Sequence, residues 1–168
     1  MKAYRERKRL LMEQILKVLE ANARTSLEEL AAMTGKSVQE VAAYMDECEE
    51  KHIINGYRTL VDWERAGVAD VQALIELRVT PRRDFGFDEI AARLADFSEV
   101  DSVMLMSGGY DLSLMMRGKS FQEIALFVAQ RLSPLEGVLS TATHFVLRTY
   151  KKDGVLYGKD PIDERECQ

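Results

Sequence analysis

Cysteine and histidine are scarce in this chain, with two of each among 168 residues. Cys48 and Cys167 stand far apart, and neither has a metal-ligating neighbour at a useful spacing. They read as a buried thiol and a tail thiol rather than zinc ligands. Two histidines, His52 and His144, argue against a histidine-rich metal centre and against a Ser/His/Asp hydrolase. No metal and no cofactor are expected. No apolar run approaches the roughly 20 residues that a membrane-spanning helix requires. The opening segment MKAYRERKRL is basic but has neither the apolar stretch nor the cleavage site of a secretory signal, so a cytoplasmic protein is expected.

The net charge of -5 argues against a protein that simply coats nucleic acid. The charge is unevenly placed: residues 1–60 balance ten Lys/Arg with ten Asp/Glu, and the excess acid lies beyond them. Such a neutral segment still binds DNA if its cations share a face.

Leu11, Ile15, Val18 and Leu19 recur at helical spacing and predict a first helix over 5–21. Ser26 with Glu29, and Ser37 with Glu40, each form the S-x-x-E pattern of a capping box. They predict a second helix with an apolar face of Leu27, Leu30, Ala31 and Met33. A third helix follows, with an inner stripe of Val38, Val41, Ala42, Met45 and Cys48. Gly35 between them supplies the turn. This is helix-turn-helix spacing, with the third helix placed to read a DNA groove. Its exposed positions are expected to be Ser37, Gln39, Glu40, Ala43, Tyr44 and Glu47. From Ser37 to Lys51 that helix carries five acids and one base, which opposes phosphate contact. The compensating cations are expected to be Arg5, Arg7, Lys8 and Arg9 on the N-terminal arm, Lys36 in the turn and Arg58 after the helix. The competing reading is a plain protein-interaction module.

Beyond residue 69 the pattern changes to strand, helix, strand, strand, helix, strand. Alternation in Val71, Ala73, Ile75, Leu77 and Val79 predicts a strand over 69–80. A helix stripe of Phe87, Ile90, Ala91, Leu94 and Phe97 follows. Strands at 100–107 and 110–117 flank Gly108-Gly109. A second helix carries Phe121, Ile124, Ala125, Val128 and Leu132, and a long last strand runs over 138–151. The order is that of a ferredoxin-like βαββαβ unit. Both sheet faces carry apolar residues, Met104, Met106 and Met115 among them, while the helices cover one face. The other face calls for a cover, and a second copy packed sheet against sheet supplies it. The bland alternative leaves these methionines lightly exposed. The expected class is α+β. A winged helix-turn-helix domain spans 1–60 and a linker 61–68. The ferredoxin-like domain spans 69–152, and 153–168 form a polar tail that is flexible or an arm to a neighbouring subunit.

Ile53-Ile54-Asn55-Gly56-Tyr57 and Ser107-Gly108-Gly109-Tyr110-Asp111, at these places in this order of elements, resemble the Lrp/AsnC family of bacterial and archaeal regulators over roughly residues 8–150. The resemblance implies a transcriptional regulator that binds double-stranded DNA and responds to an amino acid or similar small molecule. It implies a homodimer, commonly assembled further to an octamer, with the effector between dimers near the glycine turn. By position, Ser107, Gly108, Gly109, Tyr110 and Asp111 become the first effector candidates, and Thr141 and Thr143 the second. The chemistry agrees, since paired glycines leave backbone N–H groups open to a carboxylate and Asp111 offers a partner for an ammonium group. A plain β-hairpin turn is the alternative for the same residues. Three features depart from the family pattern: Gly109 where an acid is common, Lys36 in place of an apolar residue, and no arginine near Tyr44, Asp46 and Glu47. Two other functions compete. One is a sensing adaptor without DNA binding. The other is an enzyme, since some relatives of this architecture decarboxylate tetrapyrroles; it finds one histidine, His144, in the second domain.

Overall fold

The computed structural model describes residues 13–68, 70–81 and 86–158. The chain divides into two compact units between Val61 and Asp62.

The described part of the first unit begins with α1, residues 13–21. The start of the predicted 5–21 helix lies outside the described residues. α2, Leu27–Thr34, and α3, Val38–Glu50, both open with complete capping boxes, from Ser26 with Glu29 and from Ser37 with Glu40. Each box satisfies two backbone donors that a helix start otherwise leaves unpaired. Gly35 closes α2 at φ +66°, a left-handed conformation that a side chain resists. Ile15, Leu19, Leu30, Ala31, Val41, Tyr44 and Cys48 form the core.

Two details of the expected pattern shift. The inward stripe of α3 is Val41, Tyr44 and Cys48, and Val38 is exposed. Met33, expected on the inner face of α2, is 57% exposed. The sequence pattern places Met45 inward and Tyr44 outward, and the structure reverses the two. The larger ring took the inner position, with Met45 packing at its edge. After α3 the amides of Ile53 and Ile54 both donate to the Cys48 carbonyl, which turns the chain away from the helix.

The second unit is a four-stranded antiparallel sheet in the order β2-β3-β1-β4. The strands are β1 (Val71–Val79), β2 (Val100–Leu105), β3 (Leu112–Gly118) and β4 (Val138–Val146). α4 (Asp88–Ala95) links β1 to β2, and α5 (Phe121–Phe127), extended by a wider turn over Val128–Leu132, links β3 to β4. This is the ferredoxin-like arrangement. Ile75 pairs with Leu114, and both join Ile90, Leu94, Ile124 and Leu132 in one core, so both helices cover the same face. Burial of each such leucine or isoleucine is worth about 1.5–3 kcal/mol. The opposite face carries Leu74, Glu76, Met115 and Met104, with Met104 44% exposed.

The predicted long final strand ends early, at Val146. A separate hairpin, β5 (Lys151–Lys152) and β6 (Val155–Leu156), follows. Its turn, Asp153-Gly154, has φ +47° and +82°. Two positive values in succession suit a tight two-residue hairpin, and Asp-Gly is a favoured pair for it. Part of the expected tail is therefore ordered structure.

Candidate functional sites: the third helix and the glycine turn

The start of α3 holds most of the expected DNA-facing residues. Ser37 Oγ accepts from the Glu40 N–H at 3.2 Å, and a Glu40 carboxylate oxygen accepts from the Ser37 N–H at 3.1 Å. Lys36 Nζ donates to the other Glu40 oxygen at 2.9 Å. The Ser37 backbone hydrogen bond, then Lys36 and the Ser37 hydroxyl, hold the Glu40 carboxyl below its ordinary range. Three of the expected readers thus already bond to one another. Gln39 and Ala43 are exposed, and Arg58 is exposed with no ion pair among the described residues. Lys51 pairs with Glu47, and the Tyr57 hydroxyl donates to Glu49 at 2.8 Å.

Tyr44 is a correction. It is buried in the helical core rather than exposed beside Ala43. Its hydroxyl lies beside the Cys48 thiol, one turn along the helix, without a well-formed hydrogen bond. Burial, then Cys48, pushes its pKa far up. Arg5, Arg7, Lys8 and Arg9 lie outside the described residues.

The second site is the segment between β2 and β3. Asp111 anchors it to β1: its N–H donates to the Leu77 carbonyl at 2.9 Å, and its carbonyl accepts from the Met106 N–H at 2.8 Å. Its carboxylate accepts from the Val79 N–H at 2.9 Å. That bond falls where the β1–β4 register shifts between Arg78 and Val79, and it satisfies a donor at the irregularity. Arg78 Nε donates to the Gly109 carbonyl at 2.9 Å, and its guanidinium sits 5.7 Å from the centre of the Tyr110 ring.

Ser107, Gly108 and Gly109 are exposed, while Tyr110 and Asp111 are half-buried. Neither Gly108 nor Gly109 has a positive φ, and a Cβ built on either meets nothing within 4 Å. The backbone at the turn therefore does not itself require a glycine at either position. Thr141 pairs with Leu77 and Thr143 with Ile75, so both threonines lie half-buried on the helix-covered side of the edge strand. Arg78 pairs with Ser140 and belongs to the other side. Thr141 reaches the turn's end of the sheet, and Thr143 stands one row further in.

Arg78 went unnoticed in the sequence. It is one cation in an alternating strand, and only the register of β1 against β3 brings it to a glycine 31 positions away.

A helix-turn-helix unit joined to a ferredoxin-like unit defines a class of two-part, ligand-responsive DNA-binding proteins. Residues 72–156 match the family model for the Lrp/AsnC ligand binding domain, and residues 10–55 match that for a winged helix-turn-helix DNA-binding domain. The chain is 44% identical over 153 residues to the HTH-type transcriptional regulator YugG of Bacillus subtilis, covering 90% of this chain and 92% of that one. It is 31% identical over 133 residues to the proline dehydrogenase transcriptional activator of Rhodobacter capsulatus, covering 79% and 86%. Among solved structures it resembles E. coli AsnC, with a TM-score of 0.64, 25% identity, and 84% and 93% coverage. It also resembles a Neisseria meningitidis transcriptional regulator in complex with L-methionine, with a TM-score of 0.67, 25% identity, and 84% and 91% coverage. The chain belongs to the Lrp/AsnC family of transcriptional regulators. The adaptor and enzyme alternatives find no support in these relatives. Among the described residues, no helix is long and apolar enough to cross a membrane.

Proposed function

We propose that this regulator binds an amino acid or a closely similar small molecule at the turn 107–111, and that the ligand changes how its subunits associate on DNA. The observation that carries the reading is the pair Gly108-Gly109. Both are exposed, neither is needed for backbone strain or packing, and their N–H groups make no hydrogen bond among the described residues. Bare backbone donors of this kind suit a carboxylate. The L-methionine held by the Neisseria regulator is an amino-acid ligand on a similar fold.

The protein acts in the cytoplasm as a homodimer or a larger assembly such as an octamer. The uncovered sheet face, with half-buried Leu74 and Met115 and exposed Met104, supports pairing with a second copy. On DNA, Gln39, Ala43 and the N-terminal end of α3 face the bases, with Ser37, Lys36 and Arg58 on the backbone beside the arm cations Arg5, Arg7, Lys8 and Arg9. Thr141 lines the end of the sheet at the ligand turn, and Thr143 supports it.

The test is thermal unfolding with each of the twenty proteinogenic L-amino acids in turn, followed by light scattering with the strongest stabiliser. A ligand that binds only the native state raises the midpoint by mass action. Stabilisation by one or a few amino acids together with a change in assembly size supports the proposal. No stabilisation by any of them defeats it.

A further inference from the structure

The structure assigns Arg78 as the residue that reads the effector's carboxylate. This rests on the ligand turn proposed above and adds the chemistry of recognition there. Position in the sequence suggested that Asp111 pairs with an ammonium group. The geometry gives Asp111 an anchoring task as well: one carboxylate oxygen, Oδ2, accepts from the Val79 amide, and its backbone holds both Leu77 and Met106. Rotating that carboxylate toward a ligand would strand a part-buried donor at the β1 irregularity.

Arg78 is the opposite case. It is exposed, and only its Nε is engaged, by the Gly109 carbonyl. The Tyr110 ring lies beside the guanidinium, 5.7 Å from its carbon to the ring centre, and no carboxylate pairs with it among the described residues. The two terminal nitrogens remain, a planar fork at the mouth of the glycine turn. A guanidinium held in this way is matched to the two oxygens of a carboxylate. The nearby acid, Glu76, faces His144 instead, at 3.2 Å. A cation held at the turn selects a carboxylate. The ligand class is thus a small organic acid, which includes amino acids and the 2-oxo acids derived from them.

The experiment uses the full chain and isothermal titration calorimetry. The probes are the strongest amino-acid stabiliser, its carboxamide and its 2-oxo acid. Wild type is expected to bind the amino acid about tenfold to hundredfold more tightly than its carboxamide. Arg78→Gln is expected to lose a similar factor for both acids and nothing for the carboxamide. Arg78→Lys, which keeps the charge without the fork, should fall between. Equal binding of acid and carboxamide by wild type overturns the assignment, as does unchanged acid affinity in Arg78→Gln. Failure of all three probes with wild type is a different result, which defeats the ligand turn itself. The probes acting on wild type keep the test independent of any loosening of the turn in the variants.

Discussion

Replacing Glu40 with glutamine should strengthen DNA binding. In the structure this carboxylate does two things: it caps α3 through the Ser37 amide, and it pairs with Lys36 at 2.9 Å. Glutamine keeps an acceptor for the Ser37 N–H but no longer holds the lysine. One negative charge leaves the N-terminal end of the helix and one cation is released there. If Lys36 then meets one phosphate, the slope of log affinity against log salt steepens by about 0.9. Between about 50 and about 200 mM salt, that slope change alone is a factor of about 3.5. The gain in affinity should therefore be several-fold at the lower salt and shrink toward physiological salt. Fluorescence-anisotropy titration onto the protein's own upstream duplex across that range measures it. The variant should also differ in acid. The Glu40 carboxyl lies below its ordinary 4.5 when folded, so its contribution to stability is present above that value and is lost as the pH falls through the folded one. Glutamine lacks this loss. A weaker affinity or a flatter salt slope in Glu40→Gln would refute the reasoning, and would mean that Glu40 itself accepts from a base edge.

Three further outcomes are expected. Tyr44→Phe removes a buried hydroxyl that lacks a sound partner, so chemical denaturation should show a gain of about 1 kcal/mol with DNA affinity unchanged. Gly108→Ala meets open space at an ordinary φ, so its thermal midpoint should hold or rise slightly, while amino-acid binding by calorimetry should drop. Leu114→Ala opens a cavity under both helices of the second unit and should cost about 2–5 kcal/mol in denaturant titration.

Much of the fold was legible because its signals are local. Capping boxes at Ser26 and Ser37, a glycine between them and alternation through β1 each follow from a few neighbouring residues. The misjudged elements depended on distant contacts or on a missed turn. The long last strand broke at Val146 because the Asp153-Gly154 turn folds the following residues into their own hairpin. That pair stands in an otherwise polar segment, where composition gives little strand signal. Tyr44 and Met45 differ by one helical step, and periodicity alone does not choose between them. The glycine turn was located by its resemblance to a family segment, whereas the partners of Asp111 and the approach of Arg78 follow only from strand register. The acidic character of α3 was evident from composition. The engagement of Lys36 and Lys51 by acids one turn away along the chain appeared only with side chains in place.

The most direct test of a DNA-reading regulator with so acidic a third helix is titration of the full chain onto its own upstream duplex and a scrambled one, at low and at physiological salt. The account predicts preference for the upstream duplex and an affinity that falls steeply with salt. Equal affinity for both duplexes, or no binding even at low salt, would contradict it.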